Sequence, residues 1–394
     1  MLTPRQLAKL TMVVLALTFV GFALAHPPPP ILWTQHTNSF ATTSVEFSPG
    51  NDLVIVGSSE LGVRLLDVAS GTVVRTIDVM GDKLAVAPTG TVLAAATDAS
   101  VALFDLATGE GIDIFTPVEA PIAALAWNPT GDLLAVSDYW NVTRIVGLAN
   151  PRTITREFPY PSIALAFSPK NDVLVGLGFG GVIRIWSIDT GDEVTTIVPD
   201  SPELAGCVKF TPDGKRLIVA GVRNEVDSVN GIGFIDWYWT DTWTCTYSTF
   251  AAHGDMVHAL AVSPDGACIA TGGADGLLNC WSTSNYALRH TYQDPVCSQG
   301  DFLDTGIRAV DYSADGRFVA YGRWDGSVVL ICNPDMLRPG DLDESGTVDL
   351  SDLALLLANF GEPIEPGGTG DIDRDGFVGL TDLATLLAWY GATC

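Results

Sequence analysis

Positive charge is scarce in this chain. Its 394 residues carry 20 Lys and Arg against 46 Asp and Glu, a formal net charge of −26. So acidic a protein is repelled by phosphate backbones and by anionic lipid, which removes nucleic acid and membrane surfaces from the set of expected partners. Long apolar runs are missing as well. The longest, residues 10–25 (LTMVVLALTFVGFALA), falls short of the ~20 residues that a spanning helix needs. Histidine is limited to His26, His36, His253, His258 and His290, and the seven cysteines form no C-x-x-C pair. That leaves no zinc-like Cys/His spacing. There is no G-x-S-x-G, no H-E-x-x-H and no phosphate-cradling glycine loop, so the sequence gives no support to catalysis.

Hydrophobic residues nevertheless reach 47%, and 40 Gly with 23 Pro demand frequent turns. That combination favours many short strands around a sizeable core over long helices. At the N-terminus, Arg5 and Lys9 precede the apolar run, which ends in Ala23-Leu24-Ala25 before four prolines. This reads as a cleaved secretory signal over 1–25. The expected product is a secreted protein, extracellular or at the cell surface, with no membrane span after cleavage. Disulfides are permitted in such a location. Cys268 and Cys280, on the two arms of one hairpin, are a candidate pair.

Residues 26–334 are built from seven copies of one unit: an apolar strand ending in Ser-Pro or Asn-Pro, a small turn, then two further apolar strands. Clear copies are VEFSPGNDLVIVGSSELGVRLLDVASG (45–71) and LAVSPDGACIATGGADGLLNCWS (260–282). The marker prolines are Pro49, Pro88, Pro129, Pro169, Pro212 and Pro264, with Ala314 in the seventh place, at spacings of 39, 41, 40, 43, 52 and 50. A period near 40–45 is that of a four-stranded propeller blade. A lone sheet of this kind cannot bury both faces, so the sheets must stack around a ring. The sixth copy carries His253, Thr271, Asp275 and Trp281. These residues and this period resemble the WD-repeat family. The resemblance implies an all-β, seven-bladed β-propeller in which those four side chains form a structural hydrogen-bond network. The seventh copy stops after its third strand, so residues 31–35 (ILWTQ) are expected to supply the closing strand.

After a link at 335–340 the composition changes. Residues 341–352 read DLDESGTVDLSD and residues 371–382 read DIDRDGFVGLTD. Both fit the calcium-loop pattern, with glycine sixth for the sharp turn. The expected ligands of one Ca²⁺ are Asp341, Asp343, Ser345, the Thr347 carbonyl, Asp349 and Asp352. Those of a second Ca²⁺ are Asp371, Asp373, Asp375, the Phe377 carbonyl and Asp382. Hard oxygen donors at this spacing suit calcium. Helices are expected over 353–361 and 383–391. The duplicated loop and helix, with Asp at position twelve, resemble a dockerin. The resemblance implies that 341–394 form a small α-helical dockerin-like module with two EF-hand-like calcium loops. A cohesin-like or other surface protein would be its partner. Positions ten and eleven, Leu350-Ser351 and Leu380-Thr381, depart from the polar pair usual in cohesin-binding dockerins.

The repeat period is stretched most around 223–230 and 294–305, in loops that open on the rim of the second-to-third-strand turns. Tyr139, Trp140 and Trp324 lie in such turns and are candidate ligand-rim residues for a protein or a glycan. The expected whole is a secreted, non-catalytic interaction protein, possibly serving a polysaccharide-degrading assembly. The alternatives are a propeller hydrolase delivered to polysaccharide and a purely structural surface protein.

Overall fold

The computed structural model describes residues 31–390, apart from 38–41, 59–61, 150–151, 200–202, 224–230, 295–305, 335–339, 344–347, 366–367 and 374. The expected signal over 1–25, the link at 335–340 except Gly340, and most of both stretched loops lie outside the described residues. The chain divides into two compact units, 30–336 and 337–393.

The first unit is an all-β propeller of seven four-stranded antiparallel sheets. Blade one contains Thr42–Phe47, Leu53–Ser58, Val63–Asp67 and Val73–Ile77, and blade two Leu84–Val86, Val92–Thr97, Ser100–Asp105 and Gly111–Phe115. Blade three is Ile122–Trp127, Leu133–Asp138, Thr143–Gly147 and Thr153–Phe158, and blade four Ala164–Phe167, Val173–Leu177, Ile183–Ser187 and Glu193–Ile197. Blade five is Glu203–Phe210, Arg216–Arg223, Ile232–Trp239 and Thr244–His253, and blade six Val257–Val262, Cys268–Gly273, Leu277–Ser282 and Leu288–Gln293. Blade seven takes Ile307–Tyr312, Phe318–Arg323 and Ser327–Cys332 from the end of the repeats and its fourth strand, Ile31–His36, from their beginning. The innermost strands pack in one closed ring, blade one meeting blade seven.

Burial follows position within a blade. The second strands are apolar on both faces because a neighbouring blade covers each face, and Leu53–Ser58, Leu133–Asp138 and Cys268–Gly273 are almost wholly buried. The fourth strands mix polar with apolar residues and stand largely in water.

The turn after each inner strand explains the repeat marker. One residue per blade adopts the left-handed conformation there: Asn51, Gly90, Gly131, Asn171, Gly214, Gly266 and Gly316. That conformation favours Gly or Asn. The marker Ser clamps the same turn. The Ser48 hydroxyl donates to Asp52 at 2.6 Å and accepts from the Leu53 N–H, and Ser263 and Ser313 do the same in their blades. Each turn rests on the marker position of the blade before it. A Cβ on Gly266 would meet Pro212 at 3.2 Å. Where the ring closes, the seventh marker is Ala314 and retains its N–H, which donates to the Asn51 carboxamide at 2.6 Å.

The candidate disulfide needs correction. Cys268 is registered opposite Ser282 and Cys280 opposite Ala270, and no disulfide joins the two sulfurs. The residues lie two places out of register along the hairpin, so side chains on neighbouring rungs do not meet. Cys332 is the disulfide-bonded one, with its partner outside the described residues.

The second unit has two short helices, α1 (Leu350–Ala358) and α2 (Leu380–Trp389). Each begins three residues before the expected start. Asp352 and Asp382, the last residues of the two expected loops, sit in the first helical turn and accept the N–H groups of Asp349 and Gly379. Val348, Leu356, Val378 and Leu386 form a fully buried core, each residue matched by another 30 places on.

Candidate functional site

Blade six holds the expected network intact. His253 Nδ1 lies 2.9 Å from Asp275 Oδ1, and its Nε2 lies 2.9 Å from the Thr271 hydroxyl. The Trp281 indole N–H donates to that hydroxyl at 3.0 Å. Burial acts to raise the Asp275 pKa, but the His253 interaction and two backbone N–H groups outweigh it and hold the carboxyl below its ordinary value. The network ties the end of the outer strand of blade five to the second and third strands of blade six, so it serves the fold.

The three rim aromatics are not one constellation. Trp140 is 69% exposed in the second-to-third-strand turn of blade three, beside Tyr139. The neighbouring blade adds Phe179, exposed in the equivalent turn, with its ring 6.4 Å from that of Tyr139. Phe179 was missed in the sequence, although its place in the turn is as legible as that of Trp140. Trp324 belongs to blade seven, on another part of the ring, and carries the Arg308 guanidinium 4.2 Å over its face. A cleft of about 220 Å³ between blades four and five, lined in part by Phe210 and Trp243, lies on the opposite rim and includes none of these residues.

The central channel carries charge that the repeat pattern could have revealed. Three residues before each marker, the inner strands place Glu46, Ala85, Ala126, Ala166, Lys209, Ala261 and Asp311. Four are alanines and three are charged. The Glu46 carboxylate accepts the Val86 N–H of blade two at 2.6 Å, and Asp311 accepts the Phe47 N–H of blade one at 2.8 Å. Burial first, and then the Asp311 charge, push the Glu46 carboxyl up to about 8. Burial pushes Asp311 up to about 6. Lys209 of blade five acts on both, and a reach between non-neighbouring blades crosses the channel.

These shifts give a pH dependence. Glu46 takes up protons more readily in the folded chain than in the unfolded one, so its contribution to stability is complete below about 4.5 and is lost as the pH rises through about 8. Asp311 adds the same trend between about 3.8 and 6. Glu46→Gln is expected to flatten the fall of the propeller melting temperature between pH 5 and 8.5, measured by calorimetry. An unchanged slope would show that Glu46 is not the group responsible.

Two residues earlier in each blade stand Ser44, Lys83, Ala124, Ala164, Cys207, Ala259 and Ala309. Burial, and then the Lys83 side chain's proximity to Arg308, leave the ammonium below its ordinary pKa despite the opposing Asp82 charge. Burial lowers Arg308 too, and burial with the Arg308 charge pushes the His258 imidazole down to about 4, leaving it neutral. Burial pushes the Cys207 thiol up to about 11, and its S–H donates to the His258 carbonyl, so it is no nucleophile.

In the second unit, carboxylate oxygens of Asp341, Asp343 and Asp352 gather within 4.8 Å of one another, and those of Asp371, Asp373 and Asp375 do the same. Asp352 also accepts the N–H groups of Leu342 and Asp343, and Asp382 those of Ile372 and Asp373. Asp349 caps α1 by accepting the Ser351 N–H. Phe377 pairs with Pro363 in a short bridge between the two halves. Ser345 and Thr347 lie outside the described residues. Gly376, sixth in its loop, has φ +85°, the turn that such a loop requires. Carboxylate oxygens this close to one another are hard donors of the type that calcium takes.

The family model described as WD domain, G-beta repeat matches residues 243–282 and 296–331. The chain therefore carries WD40 repeats on a seven-bladed propeller. The first match begins at the outer strand of blade five and ends with the third strand of blade six, the same offset of one strand between repeat and blade that ring closure by Ile31–His36 shows. The chain is similar to "Target of rapamycin complex subunit wat1" of Schizosaccharomyces pombe, 23% identical over 62% of this chain and 79% of that protein. It is 26% identical to "WD repeat-containing protein 82" of Drosophila melanogaster over 43% of this chain and 57% of the relative. It is also 26% identical to "Periodic tryptophan protein 2 homolog" of Schizosaccharomyces pombe, over 32% of this chain and only 15% of that protein. WD propellers generally bind protein partners and act as non-enzymatic scaffolds.

These relatives correct one expectation. They are intracellular eukaryotic types of WD-repeat protein, which overturns the secreted, extracellular or cell-surface location. That location rested on the composition of residues 1–25 alone. Among the described residues, no helix is long and apolar enough to cross a membrane.

Proposed function

We propose that the chain is a scaffold that joins two protein partners, one at the propeller rim and one at a calcium-folded, dockerin-like C-terminal unit. The observation that carries the rim is the exposed pair Trp140 and Phe179 with the half-buried Tyr139 beside them, contributed by two neighbouring blades. Exposed aromatics on a rigid frame are the residue types that dominate protein interfaces. The second site is supported by the paired carboxylate clusters and by a repeated exposed face, Leu350 and Leu357 on α1 with Leu380 and Leu387 on α2. Asp341, Asp343 and Asp352 would hold one calcium ion, and Asp371, Asp373 and Asp375 another. The ion would neutralise carboxylates that otherwise repel one another and would fix each loop against its helix.

The test is affinity capture with the full chain, in calcium or in chelator, compared with Trp140→Ala and with Asp343→Asn/Asp373→Asn. A partner lost with Trp140→Ala supports the rim, and one lost with chelator and with the double substitution supports the second site. Partners indifferent to all three changes would sink the reading. Calorimetric titration of the full chain should show two calcium sites within the ~10⁻⁷–10⁻³ M span of such loops. The double substitution should remove both, whereas an absence of heat in the unaltered chain would refute the calcium assignment.

A further inference from the structure

Where neighbouring blades meet near the marker turns, an arginine of this chain fills the junction again and again. Between blades one and two, a Cβ on Gly109 would meet the Arg75 side chain at 2.3 Å, and Arg75 Nη1 donates to the Leu106 carbonyl at 3.2 Å. Between blades two and three, Arg152 pairs with Asp113 at 2.6 Å and lies 4.8 Å over the Phe115 ring. Between blades three and four, a Cβ on Gly191 would meet Arg156 at 3.0 Å, and Arg156 Nη2 donates to the Asp189 carbonyl. Between blades five and six, Arg216 is held between the rings of Trp239, at 4.1 Å, and Tyr286, at 5.0 Å. Between blades seven and one, the Trp33 ring takes this place over Gly71.

The junction of blades four and five departs from the pattern. Thr195 stands opposite Ile185 as Arg75 stands opposite Leu65 and Arg156 opposite Ile145. Val173 pairs with Ser187 as Arg216 pairs with Trp239. Short side chains thus stand at both places that elsewhere supply a guanidinium, and there the cleft of about 220 Å³ opens. It is bordered by Thr240 and Asp241 of blade five, which follow the third strand as Leu106 and Asp189 do in their blades. Trp243 also borders it, with φ +55° at the place where blades one, two and four have Gly71, Gly109 and Gly191. A bulky side chain is costly in that conformation. Tyr286 bears the same cost one blade on, at φ +63°, and its ring covers Arg216. Trp243 occupies the equivalent position with no arginine beneath it.

We propose that the cleft between blades four and five binds an arginine side chain of a protein partner, in the place that the chain's own arginines fill at other junctions. Its volume lies below the ~300–1,000 Å³ of small-molecule sites, which suits one side chain rather than a whole ligand. Trp243 offers an aromatic ring to a guanidinium. Asp172 and Asp241, both exposed and bordering the cleft, make no ion pair among the described residues and offer acceptors for its donor fork. Lys170 borders the cleft too and opposes them with a single charge. The net charge of −26 draws a basic segment towards this surface. The site is on the rim opposite Trp140 and does not depend on the reading given for that rim.

The full chain is titrated with fluorescein-labelled triarginine and trilysine by fluorescence anisotropy at about 0.15 M salt, where exposed charges are screened beyond ~8 Å. Triarginine is expected to bind more tightly than trilysine and to lose about fivefold or more in affinity in Asp241→Asn. Lys170→Gln removes the opposing charge and is expected to strengthen binding. Thr195→Arg puts an arginine at the register place of Arg75 and Arg156, and is expected to fill the cleft and exclude the peptide. Glu110→Gln makes the same change of charge as Asp241→Asn at an exposed site on blade two, and is expected to leave affinity within about twofold. All four changes leave Trp243 and its packing in place, so the test does not hang on a core substitution. Absence of binding, equal affinity for the two peptides, or unchanged affinity in a folded Asp241→Asn or Thr195→Arg chain would overturn the proposal. Equal losses in Glu110→Gln and Asp241→Asn would mark attraction to the acidic surface as a whole and would overturn it too. Loss in Trp140→Ala alone would place the peptide on the opposite rim and remove this inference while leaving that rim standing.

Discussion

Trp33→Ala is expected to weaken the whole propeller by about 3–5 kcal/mol, the usual cost of truncating a large buried aromatic. Trp33 belongs to the closing strand, paired opposite Leu330 of blade seven. Its side chain, 9% exposed, leaves that sheet and packs on blade one. The indole N–H donates to the Val68 carbonyl at 2.7 Å. The ring lies so close over Gly71 that a Cβ there would approach it to 2.6 Å, and Gly71 has φ +69° as well. One side chain thus fastens the last blade to the first. Removing residues 31–36 altogether should cost more, because it bares the edge of Ser327–Cys332, a strand buried at every position. An exposed edge also invites association between chains. Urea unfolding of the full chain, followed by near-ultraviolet circular dichroism, measures the first effect, and sedimentation of the deleted chain the second. A Trp33→Ala chain within about 1 kcal/mol of the original would mean that the ring does not depend on this clasp.

The closing strand shows why some of the architecture was readable. The third-strand ending at Cys332 and the orphan strand ILWTQ are both visible in the sequence, and a ring with one missing strand and one spare has a single economical solution. The partner of Trp33 was not readable, because Val68 and Gly71 lie in a turn whose position depends on the twist of blade one. The same division runs through the candidate sites. His253, Thr271, Asp275 and Trp281 are separated by fixed strand geometry within one repeat, so their spacing carried their contacts. Tyr139 and Phe179 come from blades three and four, and the closeness of their rings is set by how two blades pack and not by spacing within one repeat. Cys268 and Cys280 were misjudged because symmetry about a hairpin turn does not fix the rung. The backbone bonds that Asp352 and Asp382 accept at the start of each helix depend on how loop and helix meet, which loop position alone does not reveal.

Asp294→Asn is expected to cost about 3–5 kcal/mol, through the charge it leaves behind rather than the bond it removes. Asp294 is fully buried, and Arg323, 3% exposed, donates to it from Nε at 2.9 Å and from Nη2 at 2.7 Å. The Tyr321 hydroxyl donates to the same oxygen. Burial, followed by this carboxylate, pushes the Tyr321 phenol far above its ordinary pKa, so it remains a donor throughout the accessible range. Asp294 ends blade six, while Tyr321 and Arg323 stand on the second strand of blade seven. The cluster therefore does between the sixth and seventh blades what Trp33 does between the seventh and the first. With a neutral amide at 294, Arg323 keeps its charge in a buried site, with Asp325 at 3.9 Å as its remaining acidic neighbour among the described residues. The double substitution Asp294→Asn/Arg323→Met removes that charge and should recover much of the loss. A coupling energy of at least about 1 kcal/mol in the four-chain cycle, read from urea midpoints, is the expected sign that the two residues act as a unit. Simple additivity would mean that each is held by its own neighbours, and that the blade junction rests on apolar packing alone.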